Sequence, residues 1–103
     1  MKTRLAAFLI VSSLTSPVLA GGGNGLSVRY ICAGNIRIQA TYVGQRAQVV
    51  VGAQVLEMNT GLSASGARYV GGGYTWWTRG HTAELYRGET PGQLTSLRQC
   101  QQG

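Results

Sequence analysis

LSVRYICAGNIRIQATYVGQRAQVVVGAQVLEM, residues 26–58, carries the pattern that decides the fold. Leu26, Val28, Tyr30 and Cys32 share one parity, with Ser27 and Arg29 on the other. Ile36, Ile38, Ala40 and Tyr42 repeat the arrangement against Arg37, Gln39 and Thr41. Side chains alternate faces along an extended chain, so a period of two marks strands with one apolar face turned inward. Gly44-Gln45 and Gly52-Ala53 fall where tight hairpin connections would join Tyr42, the run Ala47–Val51 and the run Val55–Met58. Val49-Val50-Val51 breaks the alternation, so that strand is expected either to be covered on both faces or to sit at a dimer contact.

The same reading extends toward the C-terminus. Tyr74–Thr78 and Thr82–Tyr86 read as another strand pair turned at Arg79-Gly80-His81, Pro91-Gly92 marks a further turn, and Leu94–Cys100 returns as a last strand. After the first twenty residues no segment has a helical period. The sum is an all-β fold of about eight short strands, a sandwich or a small antiparallel β-barrel. Closure into a barrel would remove the exposed edges through which a small sheet aggregates.

The first twenty residues have a different character. MKTR is positively charged, LAAFLIVSSL is a short apolar run, and TSPVLA ends on small residues. That is the layout of a secretory signal peptide, with cleavage expected after Ala20 and delivery to the periplasm. Residues 21–25, GGGNG, read as a flexible leader and residues 26–103 as a single domain. No cysteine lies near the cleavage point, so no lipid anchor to a membrane is expected. So small a domain buries a modest core and often needs a covalent staple. Cys32 and Cys100 are the two cysteines, and in an oxidising compartment they have only each other to pair with. Two cysteines and one histidine fall short of the four ligands of a structural zinc site, and no metal or other cofactor is expected.

Residues 21–103 hold seven arginines against Glu57, Glu84 and Glu89, a net charge of +4, with no lysine or aspartate. Such a surface favours acidic partners. The arginines are scattered along the chain, which argues against nucleic acid. Catalysis is poorly provided for. Glycoside hydrolysis generally needs two facing carboxylates, and the glutamates fall on two separate strands and a Gly/Pro loop. A triad needs a histidine oriented by an acid, and His81 follows Gly80 in a turn. A non-enzymatic binding protein is the expectation. One form of it is a module for anionic or saccharide components of the cell envelope, using scattered arginines and an exposed tryptophan. Trp76 and Trp77 should point to opposite faces, one into the core. The other is then exposed, at an interface or covered by a loop.

GLSASGARYVGGG, residues 61–73, reads as a slim small-residue loop. Together with the two strands C-terminal to it, this loop carries a resemblance: Ser65-Gly66-Ala67-Arg68-Tyr69, then Trp77-Thr78-Arg79-Gly80, then Ala83 and Leu85. This spaced set resembles the signature of the periplasmic and membrane-bound inhibitors of C-type lysozymes. Tyr30-Ile31-Cys32 is similar to that family's opening Tyr-x-Cys, and Cys100 stands where its closing cysteine is expected. The resemblance implies an eight-stranded antiparallel barrel, a C-type lysozyme as protein partner, and inhibition by occlusion of the lysozyme active-site cleft. It implies that the loop Ser63–Tyr69 enters the cleft and that Ser65 donates its hydroxyl to a catalytic carboxylate. Arg79 then occupies a basic position that is usually lysine. Ala64 and Gly66 keep the loop thin, and Arg68 either braces it or touches the rim. Tyr69, Trp77 and Gly80 are structural members of the motif. Either a monomer or a homodimer is compatible with this reading.

Overall fold

A computed structural model describes residues 25–103. The signal peptide assigned to residues 1–20, and all but the last residue of the 21–25 leader, lie outside the described residues. Eight strands follow in order: β1 (Leu26–Cys32), β2 (Ile36–Val43), β3 (Arg46–Val51), β4 (Gln54–Gly61), β5 (Ala67–Gly71), β6 (Tyr74–Arg79), β7 (Thr82–Arg87) and β8 (Thr95–Gln102). Each pairs antiparallel with the next, and β8 returns to β1, closing the barrel. A 3-10 turn, Pro91–Gln93, lies between β7 and β8.

The inward parity forms the core. Tyr30, Cys32, Ile38, Ala40, Ala47, Val49, Leu56, Met58, Trp76, Ala83, Leu85 and Cys100 are buried in one cluster. Val51 packs against that cluster while Val50 lies half-buried on the other parity, so alternation survives in β3. Leu26 has the inward parity but stands at the barrel end, 64 % exposed. Trp76 is completely buried, and its indole needs an acceptor there. It donates to the Tyr42 hydroxyl at 2.8 Å, which also shares a 2.8 Å hydrogen bond with the Tyr30 hydroxyl. Burial, then the bond with Tyr30, pushes the Tyr42 phenol far above its ordinary range.

β4 runs on to Gly61 and β8 to Gln102, beyond the Met58 and Cys100 of the sequence reading, and two further differences bear on the site. Arg79 still pairs with Thr82, so the β6–β7 turn is only Gly80-His81, with Gly80 at φ +60°. The larger difference is β5. Residues 61–73 read as one loop, yet Ala67–Gly71 is a strand, paired to β4 through Gly61↔Arg68 and to β6 through Arg68↔Trp77. The loop proper is therefore residues 62–66, and the entering loop expected at Ser63–Tyr69 is half strand. Gly71 explains part of the concealment. A Cβ there would lie 2.3 Å from the Glu57 carbonyl oxygen, so glycine is what lets β5 lie against β4.

Cys32 and Cys100 face each other in the β1–β8 register and form the disulfide.

Candidate functional site

The antiparallel registers place Gly61, Arg68, Trp77, Glu84 and Gln99 in one row across β4 to β8. Arg79 stands on the same outer face, two residues along β6 from Trp77. Loop 62–66 folds back over this wall. Trp77 Nε1 donates to the Ser65 carbonyl at 3.0 Å, and the Ser63 hydroxyl donates to the same oxygen. Arg79 Nε donates to the Ser65 hydroxyl oxygen at 3.4 Å. The Arg79 guanidinium carbon sits 4.5 Å from the centre of the Trp77 ring, within range of a cation–π contact. Of the alternatives left open for Trp77, the structure thus has it half-buried, capped by the loop and by an arginine.

Gly66 makes the fold-back possible. It adopts φ +69°, and a Cβ there would lie 2.1 Å from the Thr78 carbonyl oxygen and 2.8 Å from Arg79 Cγ. Gly66→Ala is therefore expected to lift the loop from β6 while the barrel stays folded. The Trp77 indole N–H, losing its carbonyl, should exchange with solvent faster by NMR. The left-handed strain alone should cost about 1–2 kcal/mol in thermal or urea unfolding. An unchanged indole exchange rate would show that the loop accommodates the methyl group.

Arg68 is the surprise of the site. It is only 6 % exposed, although an isolated arginine is normally solvated. Gly61 provides the space: a Cβ at that position would meet Arg68 Nη1 at 2.9 Å. The Arg68 guanidinium carbon is also 5.8 Å from the Trp77 ring centre, and its Nε and Nη1 have no hydrogen-bond partner among the described residues. The enclosed side chain lies within the wall, between Gly61 and Trp77. Tyr69 points the other way, packed against the core with its ring 5.4 Å from that of Tyr42. Ser63, Ala64, Ser65 and Arg79 are exposed, as is Leu62 at 90 %.

Ser65, Gly66, Arg68, Trp77 and Arg79 are thus brought together, while Tyr69 lies inside and Gly80 serves the adjoining turn. Sequence reasoning missed Glu84 and Tyr86. The Tyr86 hydroxyl donates to Glu84 Oε1 at 2.9 Å, and the Ser96 hydroxyl donates to Glu84 Oε2. A register slip between Leu85 and Tyr86 sets Tyr86 opposite Ser96. The Tyr86 phenol is held above its ordinary value by burial first and by Glu84 next, while the Arg79 guanidinium beside it pulls the other way. The signal for Glu84 was available, since a two-residue turn at Gly80-His81 forces Trp77 opposite Glu84. Trp77, Arg79, Thr82, Glu84 and Gln99 help line a groove of about 600 Å³ beside the loop.

The other two glutamates and the histidine are occupied elsewhere. Glu57 accepts from Gln48, Glu89 accepts from the Gly73 amide, and His81 lies in its turn 3.3 Å from the Gln102 side-chain oxygen. Among the described residues no three His, Cys, Asp or Glu side chains gather as metal ligands.

A family model described as membrane-bound lysozyme-inhibitor of c-type lysozyme matches residues 30–93, more than half of the chain. A membrane-bound lysozyme inhibitor of C-type lysozyme from Cupriavidus necator is 42 % identical over 64 residues, 57 % of this chain and 50 % of that protein. Its namesake from Pseudomonas aeruginosa is 33 % identical over 80 residues, 78 % of this chain and 58 % of that protein. The chain thus spans about half the length of these relatives. Among solved structures, Pseudomonas aeruginosa MliC, crystallised in complex with hen egg white lysozyme, is similar in fold. Its TM-score is 0.56 at 23 % identity, with both chains covered in full.

Proposed function

The chain belongs to the family of membrane-bound lysozyme inhibitors of c-type lysozyme, and on that premise we propose that it is itself a proteinaceous inhibitor of a C-type lysozyme. It acts in the periplasm, a placement supported by the signal-peptide layout of residues 1–20. It performs no catalysis: loop 62–66 and Arg79 enter the lysozyme cleft and engage the catalytic carboxylates.

One observation carries this reading. The Ser65 hydroxyl and the Arg79 guanidinium, fourteen residues apart, meet at 3.4 Å beside an exposed loop of small side chains. A polysaccharide cleft is narrow, and Ser63, Ala64, Ser65 and Gly66 keep the loop thin enough for one. Glycoside hydrolysis requires one carboxyl protonated as the acid and its neighbour ionised. A guanidinium placed between them favours the ionised form of both, and the loop displaces substrate at the same time. The planar head of arginine suits carboxylate oxygens, although it is wider than the lysine usual at this position in the family.

Purified protein is expected to suppress lysis of a cell-wall suspension by C-type lysozymes at near-stoichiometric dose. A panel of such lysozymes that all stay fully active at a tenfold molar excess would refute the proposal.

A further inference from the structure

We infer that Trp77 is the positioning residue of the site: its indole N–H places Ser65 and its ring places Arg79, so that both stand ready for a partner's carboxylates. This role rests on the contacts proposed for Ser65 and Arg79 and deepens that reading.

Ser65 and Arg79 are both exposed, one on a loop of small residues and the other at the end of a long side chain. Left to solvent, each would sample many conformations, and binding would have to freeze them at a cost that pre-ordering removes. Their mutual bond is a weak restraint, since 3.4 Å is long for an N–H donor. The barrel wall supplies firmer restraints through one side chain. Trp77 Nε1 donates to the Ser65 carbonyl at 3.0 Å, and the Arg79 guanidinium carbon lies over the ring, 4.5 Å from its centre. Indole suits both tasks, because it carries an N–H that can only donate and the aromatic face that attracts cations most strongly.

Trp77 is itself held from both neighbouring strands. It stands opposite Arg68 of β5 and Glu84 of β7 in the ladder. The Arg68 guanidinium carbon, enclosed in the wall, lies 5.8 Å from the ring centre, and the Tyr86 ring meets the indole edge-on at 6.3 Å. The anchor is half-buried while the two groups it places are exposed. The bond polarity also fits the proposed contact. The Ser65 carbonyl takes the Trp77 N–H and the Ser63 hydroxyl, and the Ser65 hydroxyl oxygen accepts from Arg79 Nε. The Ser65 hydroxyl proton is then left to donate, and a carboxylate is a fitting acceptor.

The two handles can be separated. Trp77→Phe keeps an aromatic face and loses the N–H, whereas Trp77→Leu loses both. The first measurement is made on the free protein by NMR, with the Arg79 resonances assigned by their loss in Arg79→Ala and folding checked by melting. In the wild type the Arg79 side-chain protons should be shifted upfield by the ring current of Trp77. The Arg79 Nε–H should be ordered in the wild type and in Trp77→Phe and mobile in Trp77→Leu, whereas the Ser65 amide should loosen in both variants. The second measurement is inhibition of lysozyme, where Trp77→Phe should weaken the inhibition constant about threefold and Trp77→Leu about tenfold or more. In an Arg79→Ala background the leucine variant should be no worse than the phenylalanine one, because the ring face acts through Arg79. The positioning role is overturned by unshifted Arg79 protons in the wild type, by an Arg79 Nε–H as ordered in Trp77→Leu as in the wild type, or by a Ser65 amide unaltered in both variants. A gap between the two variants that persists in the Arg79→Ala background overturns it as well. Should Trp77→Leu fail to fold, the wild-type shift and the Ser65 amide of Trp77→Phe decide. If Ser65 and Arg79 loosen as expected yet no lysozyme is inhibited even by the wild type, the positioning stands and the inhibitor reading falls.

Discussion

Arg79→Ala is expected to raise the inhibition constant for C-type lysozyme by a factor between about 30 and several thousand while leaving the fold intact. The range is that of truncating one side of a desolvated charge pair, about 2–5 kcal/mol, at 1.4 kcal/mol per tenfold change. Much of it reflects the partner's carboxylates being left in a closed cleft with no cation. Stability should hardly change, because Arg79 is exposed and its contacts, the Trp77 face and the Ser65 hydroxyl, both lie at the surface of the wall. Melting within a few degrees of wild type is therefore part of the expectation. Arg79→Lys is the informative companion. It keeps the charge but gives up the contact of the guanidinium with the Trp77 ring, so it should fall between wild type and alanine. The measurement is a lysozyme titration with the melting curve of each variant alongside. Wild-type inhibition by the alanine variant would remove Arg79 from the site.

How much of the fold and site is legible in the sequence can be traced to particular residues. Strict alternation from Leu26 to Tyr42 and short glycine connections are local signals, and β1 to β4 obey them closely. The same holds for β6 and β7, where Trp76 takes the core and Trp77 the wall. β5 is hidden because its order is not local. Arg68 faces outward yet is buried, Tyr69 faces inward but is only half-buried, and Gly66 and Gly71 to Gly73 bracket both with turn residues. Only pairing to Gly61 on one side and Trp77 on the other makes this segment a strand. The site divides in the same way. Ser65, Trp77 and Arg79 are found through the spacing of a family motif. The burial of Arg68 depends on the missing side chain of Gly61 across the ladder, which no composition argument reaches. Glu84 and Tyr86 escape because they read as an ordinary strand face. Their places opposite Trp77 and Ser96 come from the register of a two-residue hairpin and from a slip in the neighbouring strand.

Removing the Cys32–Cys100 bridge should produce the largest loss of stability of any change away from the site. The bond joins residues 68 apart in sequence, and its main effect in the chain-entropy picture is on the unfolded state. For a loop of that size the contribution is about 4 kcal/mol. In a domain of this size each kcal/mol moves the melting temperature by roughly 4–8 °C, so a drop on the order of 15–30 °C is expected. The location makes the loss more than entropic. β1 and β8 pair through Tyr30↔Gln102, Ile31↔Gln101 and Cys32↔Cys100, flanked by the Ala33–Gln99 and Gly103–Arg29 backbone hydrogen bonds, whereas β1 pairs with β2 along its whole length from Leu26 to Cys32. The bridge therefore sits on a short seam of the closed barrel, and both its cysteines are buried there. Parting that seam would turn the barrel into an open sheet with β1 and β8 as free edges, the form most prone to pairing with other chains. Cys32→Ala/Cys100→Ala should accordingly melt at a much lower temperature and aggregate on heating. Wild-type protein in reductant, with the thiols verified by mass, should do the same. Melting of the fully reduced protein at the wild-type temperature would mean that the β1–β8 ladder closes the barrel unaided.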